Sequence, residues 1–158
     1  DPDETAKRFK PCLHSSPEMA STELAVWSGD QVMKDEEGYL YFISRNDEMI
    51  KTSGYRVSPT EIEDIIHGTG LVTEAVAMGL PHAALGQAIL LVVTPALGAK
   101  VDDTLKNAVL SRCRRELPNF MVPAIVTVQD TLPHNSNGKI DRRRLSEQYQ
   151  TMFQDDSP

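Results

Sequence analysis

A chain of 158 residues, 40% of them apolar, is about one domain long and can bury a core of its own. The formal net charge of -7 argues against a general nucleic-acid binder. No run reaches the ~18 uninterrupted apolar residues of a membrane span, and no basic-then-apolar signal segment opens the chain. The chain begins Asp1-Pro2-Asp3-Glu4 without an initiating Met, so a fragment or processed product is expected. Cys12 and Cys113 lie far apart without metal spacing, and the expectation is two reduced thiols in a cytoplasmic protein. His14, His67, His82 and His134 have no ligand spacing either, so no metal site is predicted.

Residues 3–9 read as a short helix, with acids in the first turn and Lys7 and Arg8 in the last. Residues 11–22 are loop by composition, 23–27 a short strand, and 39–43 an aromatic strand after a turn at Asp35-Glu36-Glu37-Gly38. Ser58-Pro59-Thr60-Glu61 predicts a helix start, with Ser58 as cap, Pro59 at the first helical position and Glu61 closing a capping box. Ile62, Ile65 and Ile66 give that helix its apolar face, and Gly68 is expected to end it. Residues 74–80 form a strand stopped by Pro81. The apolar run 88–93 predicts a central strand buried on both faces. Asp102 or Asp103 caps a second helix, in which Leu105, Val109, Cys113 and Leu117 recur at every fourth position. Cys113 is therefore expected in the core. A strand over 123–128, a polar loop over 131–138 and a helix over 140–149 complete the pattern. From residue 58 onward this order predicts a compact α+β domain, a small sheet of about three strands with helices against it. Residues 1–43 read as loops and hairpins with too few apolar residues for their own core, so they call for a neighbour.

Between these regions lies a charged junction, residues 44–59, too rich in fixed charge to be a plain Gly, Ser or Pro linker. Its segment Arg45-x-Asp47-x-x-Ile50-Lys51-x-x-Gly54-x-Arg56, followed by Glu61-Ile62-Glu63, is one of four ordered motifs. The others are Trp27-Ser28-Gly29-Asp30 with Glu37-Gly38-Tyr39-Leu40-Tyr41-Phe42, then Leu117-Pro118-Asn119-Phe120-Met121-Val122-Pro123, and finally Leu132-Pro133 with Asn137-Gly138-Lys139-Ile140-Asp141-Arg142. Together they resemble the C-terminal portion of the AMP-forming acyl-CoA ligases of the adenylate-forming superfamily. Ser28 and Ser44 stand where that family usually has Thr and Gly, and the family's Gly/Ser/Thr-rich phosphate loop is not in this sequence.

The resemblance implies that residues 1–46 are the end of a large adenylate-forming domain, preceded by a missing remainder. Residues 47–150 are then its C-terminal lid, with a β-hairpin strip before it, and 151–158 a frayed tail. It also implies the reaction: a carboxylic acid and ATP give an acyl-adenylate, then CoA displaces AMP to give acyl-CoA, with the lid rotating between the halves. ATP/AMP and CoA are the implied ligands, with Mg2+ on ATP. The implied partner is the chain's own missing N-terminal domain, and the piece alone is expected to be inactive. By the same resemblance Asp30 and Arg45 bind the nucleotide ribose, Asp47 is the hinge and Lys139 is catalytic in adenylation. Lys51 has a second-half catalytic role, and Gly54 and Arg56 meet CoA.

Each residue also has a plainer reading. Asp30 could be an ordinary turn acid, and Arg45 a surface ion pair with an acid such as Asp47. Gly54 could be a turn glycine, Arg56 could pair with Glu61 or Glu63, and Lys139 could be an exposed loop lysine. Acetylation of an exposed Lys139 would remove its charge and silence adenylation. Arg142-Arg143-Arg144 is expected as a solvated helix face against the N-terminal domain or CoA phosphates. The alternatives are a peptide-synthetase-type adenylation domain that loads a carrier protein, and a non-catalytic lid-like binding module.

Overall fold

The computed structural model describes residues 2–12, 24–45, 48–98 and 102–153. It divides into two compact units, Asp1–Asp47 and Glu48–Pro158.

The first unit holds α1 (Pro2–Arg8) and two small antiparallel pairs. β1 (Phe9–Pro11) pairs with β2 (Leu24–Val26), so the strand begins two residues before the expected loop. β3 (Asp30–Lys34) pairs with β4 (Leu40–Arg45) around a turn in which Asp35 accepts from the Tyr39 N–H at 2.8 Å. Of thirteen exposed large apolar side chains among the described residues, ten belong to this unit. Among its described residues none is a buried hydrophobic, in line with the expectation that this region closes no core of its own.

All the buried hydrophobic residues among those described belong to the second unit. Its sheet has five strands. β7 (Val72–His82) and β8 (Gly86–Pro95) form a long antiparallel hairpin, with β7 at the edge. The other side of β8 takes β5 (Ile50–Thr52) at its start, through Thr52 opposite Gly86. Further along, β8 pairs in parallel with β9 (Ile125–Val128). β6 (Tyr55–Val57) completes the sheet beyond β5. The α+β class holds, and the sheet exceeds three strands because residues 50–57 form a hairpin. Strands of three residues are too short to display an alternating pattern.

Side chains alternate across a strand, so the apolar run of β8 feeds two cores. Ala75, Ala77, Ile89, Leu91 and Val93 join the core that includes Ile62 and Ile66 of α2 (Pro59–His67) and Leu105, Val109 and Cys113 of α3 (Asp103–Glu116). Val76, Met78, Leu80, Leu90 and Val92 join Leu132, Phe153 and Leu145 of α4 (Arg142–Tyr149). Helices therefore cover both faces, which is why the run carries no polar alternation.

Several local expectations change. β7 continues through Pro81 to His82, because an edge strand tolerates a residue without an N–H. Ser58 is the N-cap of α2 but makes no side-chain cap bond, so the capping box does not form. Gly68 does end α2, as its C-cap with a right-handed φ of -61°, and the left-handed residue is Gly70 at φ +68°. Asp102 does cap α3, accepting from the Thr104 and Leu105 N–H groups. The last helix starts at Arg142 rather than residue 140, with Asp141 as its cap. The tail is not frayed from 151, since Phe153 is buried against the second core; residues 154–158 lie outside the described residues.

Candidate functional site

Asp30 and Arg45 face each other across the β3–β4 pair. The Arg45 guanidinium lies 3.9 Å from the Asp30 carboxylate, and both side chains remain partly exposed. The Asp30 N–H donates to the Ser28 hydroxyl at 3.2 Å, fixing the turn before the strand. Gly29 sits at φ +82°, beside the Arg45 guanidinium. An acceptor and a planar donor set thus share one accessible edge, an arrangement suited to a vicinal diol. Asp30 is thus an ion-pair partner of Arg45. Asp47 itself lies outside the described residues.

Lys51, Gly54 and Arg56 belong to the β5–β6 hairpin, with Lys51 opposite Arg56. Ser53 at φ 50° and Gly54 at φ +82° are both left-handed, the signature of a type I′ two-residue turn. No atom lies within 4 Å of where a Gly54 Cβ would stand, so the turn alone accounts for the glycine within this chain. Gln87 accepts from the Lys51 N–H at 2.6 Å and donates to the Gly79 carbonyl at 3.4 Å, linking the hairpin to β7. Tyr55 stacks on Phe120 with ring centroids 4.1 Å apart, so the Leu117–Pro123 motif braces the strand that carries Arg56.

Lys139 is exposed in a loop whose backbone is closely held. Asn135 donates from its N–H to the Lys139 carbonyl at 2.8 Å. The Asn135 side chain accepts from the Asn137 and Lys139 N–H groups at 2.9 and 3.1 Å. Gly138 takes φ +74°, and His134 bridges to Ile140. His134 also contacts Glu74 at 2.8 Å, pinning the loop to β7. Among the described residues no ion-pair partner meets the ammonium of Lys51 or of Lys139. The sequence reading missed Asn135, whose Asx-turn chemistry was visible in Asn135-Ser136-Asn137-Gly138.

These elements do not converge within the second unit. The Ser53-Gly54 turn rests on the Leu85-Gly86 turn, at the His82 end of β7. The Lys139 loop is pinned at Glu74, eight residues away along the same strand, or roughly 27 Å at the rise of a β-strand.

Arg142 does not join a solvated face. Its guanidinium pairs with Glu63 at 2.8 Å and donates to the Ala77 carbonyl, whereas Arg143 pairs at the surface with Glu147. Glu63 is therefore engaged by Arg142 through both carboxylate oxygens. Cys113 is buried, and desolvation pushes its thiol up to about 11. Among the described residues no group of three or more His, Cys, Asp or Glu side chains is placed to hold a metal ion, and no helix is long and apolar enough to cross a membrane.

The family model of the AMP-binding enzyme C-terminal domain matches residues 61–139, half of the chain, ending on Lys139. The chain is 37% identical over 122 residues to a long-chain-fatty-acid–CoA ligase of Escherichia coli O6:H1, covering 77% of this chain and 21% of that protein. It is 36% identical over 119 residues to an acetyl-coenzyme A synthetase of Stutzerimonas stutzeri, covering 75% and 18%. The crystal structure of ATP-bound MatB from Rhodopseudomonas palustris superposes with a TM-score of 0.77 at 29% identity, over 96% of this chain and 27% of that one. The chain thus spans about a fifth of the length of the curated relatives it matches.

Proposed function

The chain belongs to the AMP-binding enzyme C-terminal domain family, and from that premise we propose that it forms the C-terminal part of an AMP-forming acyl-CoA ligase. Residues 1–46 are the last strip of the large domain and 47–150 the lid, joined at Asp47. The division into compact units after Asp47 supports this boundary. The exposed apolar side chains of the first unit support a missing neighbour, the rest of the large domain, as its partner.

The observation that carries the reading is the ammonium of Lys139, which meets no ion-pair partner among the described residues, on a loop with a fixed backbone at the end of the family match. In adenylation a carboxylate attacks the α-phosphate of ATP, and pyrophosphate leaves. Both reactants are anionic, and charge builds on the phosphoryl oxygens. Lys139 offsets that repulsion, a contribution on the order of 3–4 kcal/mol, or ~10²–10³ in rate. Asp30 accepts from the ribose hydroxyls and Arg45 donates beside it. In the second half the CoA thiol attacks the acyl carbonyl and AMP departs. Lys51 then faces the acyl carbonyl, Gly54 leaves room for the pantetheine arm and Arg56 meets CoA phosphate. The separation of the Lys139 loop from the Ser53-Gly54 turn supports a lid that rotates between halves, since a fixed lid would not bring both to one carbonyl. Mg2+ would travel with ATP and neutralise phosphate charge. The setting is cytoplasmic.

The test is to supply the full-length protein containing this chain with ATP, a panel of fatty and aryl acids, and CoA. Acyl-CoA and AMP are the expected products. Adenylate that passes only to a carrier protein would move the assignment to a peptide-synthetase-type domain, and no adenylate with any acid would leave a binding module.

A further inference from the structure

We propose that Arg142 is a positioning residue that fixes one end of the Lys139 loop, an inference that rests on the reading of Lys139 as the adenylation lysine. β7 is an edge strand, so the backbone groups of Ala77 turned away from β8 need partners from outside the sheet. Glu63 and Arg142 supply both. The Ala77 N–H donates to Glu63 Oε1 at 2.7 Å, and Arg142 Nη1 donates to the Ala77 carbonyl at 3.0 Å. Arg142 Nη2 closes the ring on the Glu63 carboxylate, at 2.8 and 2.9 Å from its two oxygens. Glu63 is 8% exposed, so this carboxylate is compensated inside the fold rather than by water. Arg142 Nε also lies 3.8 Å from Glu48 Oε2, in the first described residue after the proposed hinge.

The consequence for Lys139 follows from chain geometry. The loop closes where the Asp141 N–H donates to the Pro133 carbonyl at 2.7 Å. Its entry is held by buried Leu132 and by His134 on Glu74. Its exit is held by Arg142, three residues after Lys139, and then by buried Leu145. One guanidinium therefore ties the loop exit to β7, to α2 and to the start of the second unit. Lysine cannot replace it, because a point ammonium does not span a carboxylate and a carbonyl in one plane.

The experiment uses Arg142→Lys in the full-length protein, because Arg142→Ala would strand the buried Glu63 carboxylate. Glu63→Gln, which keeps an acceptor for the Ala77 N–H, is the second variant. Hydrogen exchange is read at the Lys139 and Asp141 amides, against the central amides of β7 and β8. Adenylate formation and thioester formation from supplied acyl-adenylate are measured separately. Both variants are expected to speed exchange in the loop but not in the central strands. Adenylate formation should fall about tenfold or more, with thioester formation within about twofold, because misplacement acts only where the displaced group reacts. Loop amides that exchange as in the parent protein, or that loosen only together with the central strands, would overturn the role of Arg142. A loosened loop with both half-reactions equally affected would uphold Arg142 as the anchor and overturn Lys139 as the adenylation group.

Discussion

Cys113 sits on the inward face of α3, fully buried, and desolvation pushes its thiol from an ordinary 9.0 up to about 11. An unfolded chain therefore releases this proton first. The contribution of the buried thiol is complete below about pH 9 and is lost as the pH rises towards 11. A tenfold change in proton affinity corresponds to about 1.4 kcal/mol, so the loss is on the order of 2–3 kcal/mol at most. Urea unfolding of the parent and Cys113→Ala, at about pH 8 and about pH 10.5, should give a smaller alkaline loss in the variant. An equal loss in both would place the titration elsewhere. The position of Cys113 was legible because a four-residue spacing reports one helix face directly. The engagement of Arg142 was not, since three adjacent arginines look alike until the fold brings Glu63 and Ala77 beside one of them. Gly54 lies between these cases. Its turn was readable, but its sequence could not say whether the turn or a ligand requires the glycine.

The β5–β6 hairpin shows the same limit at the level of an element. Residues 50–57 read as a charged junction; the two strands pair with each other, and the contact that seats them in the sheet comes from β8, more than thirty residues away. The close approach depends on Gly79 of β7. A Cβ there would stand 2.7 Å from Ile50 Cγ2 and 2.8 Å from Gln87 Oε1, the two groups that seat β5. Gly79→Ala should therefore cost about 1–3 kcal/mol by overpacking, measured as a lower urea midpoint at an unchanged slope. Because the displaced element carries Lys51 and Gly54, thioester formation should fall more than adenylate formation. Unchanged stability would show that Ile50 and Gln87 relax freely. By contrast α2, α3 and the long strands were legible, since each carries its own apolar face or run.

At the scale of the whole molecule, the two units contrast in a way the sequence half revealed. Phe9, Trp27, Leu40 and Phe42 are exposed in the first unit, whereas the second closes two cores around one sheet. A surface so rich in large apolar side chains fits a segment cut from a larger body. The four motifs were readable in order, and the candidate residues they carry fall into three groups: the Asp30–Arg45 pair, the hairpin turn and the Lys139 loop. The sequence did not reveal that the last two occupy opposite ends of β7, since only the strand register sets that distance. On the proposed function, that separation means that one lid presents two different elements to one carbonyl in turn. The most direct test is Lys139→Ala in the full-length protein, with acid-dependent pyrophosphate exchange and thioester formation from supplied acyl-adenylate measured side by side. Exchange should be lost, by ~10²-fold or more, while thioester formation is retained. Equal loss of both halves, or exchange at the parent rate, would contradict that reading.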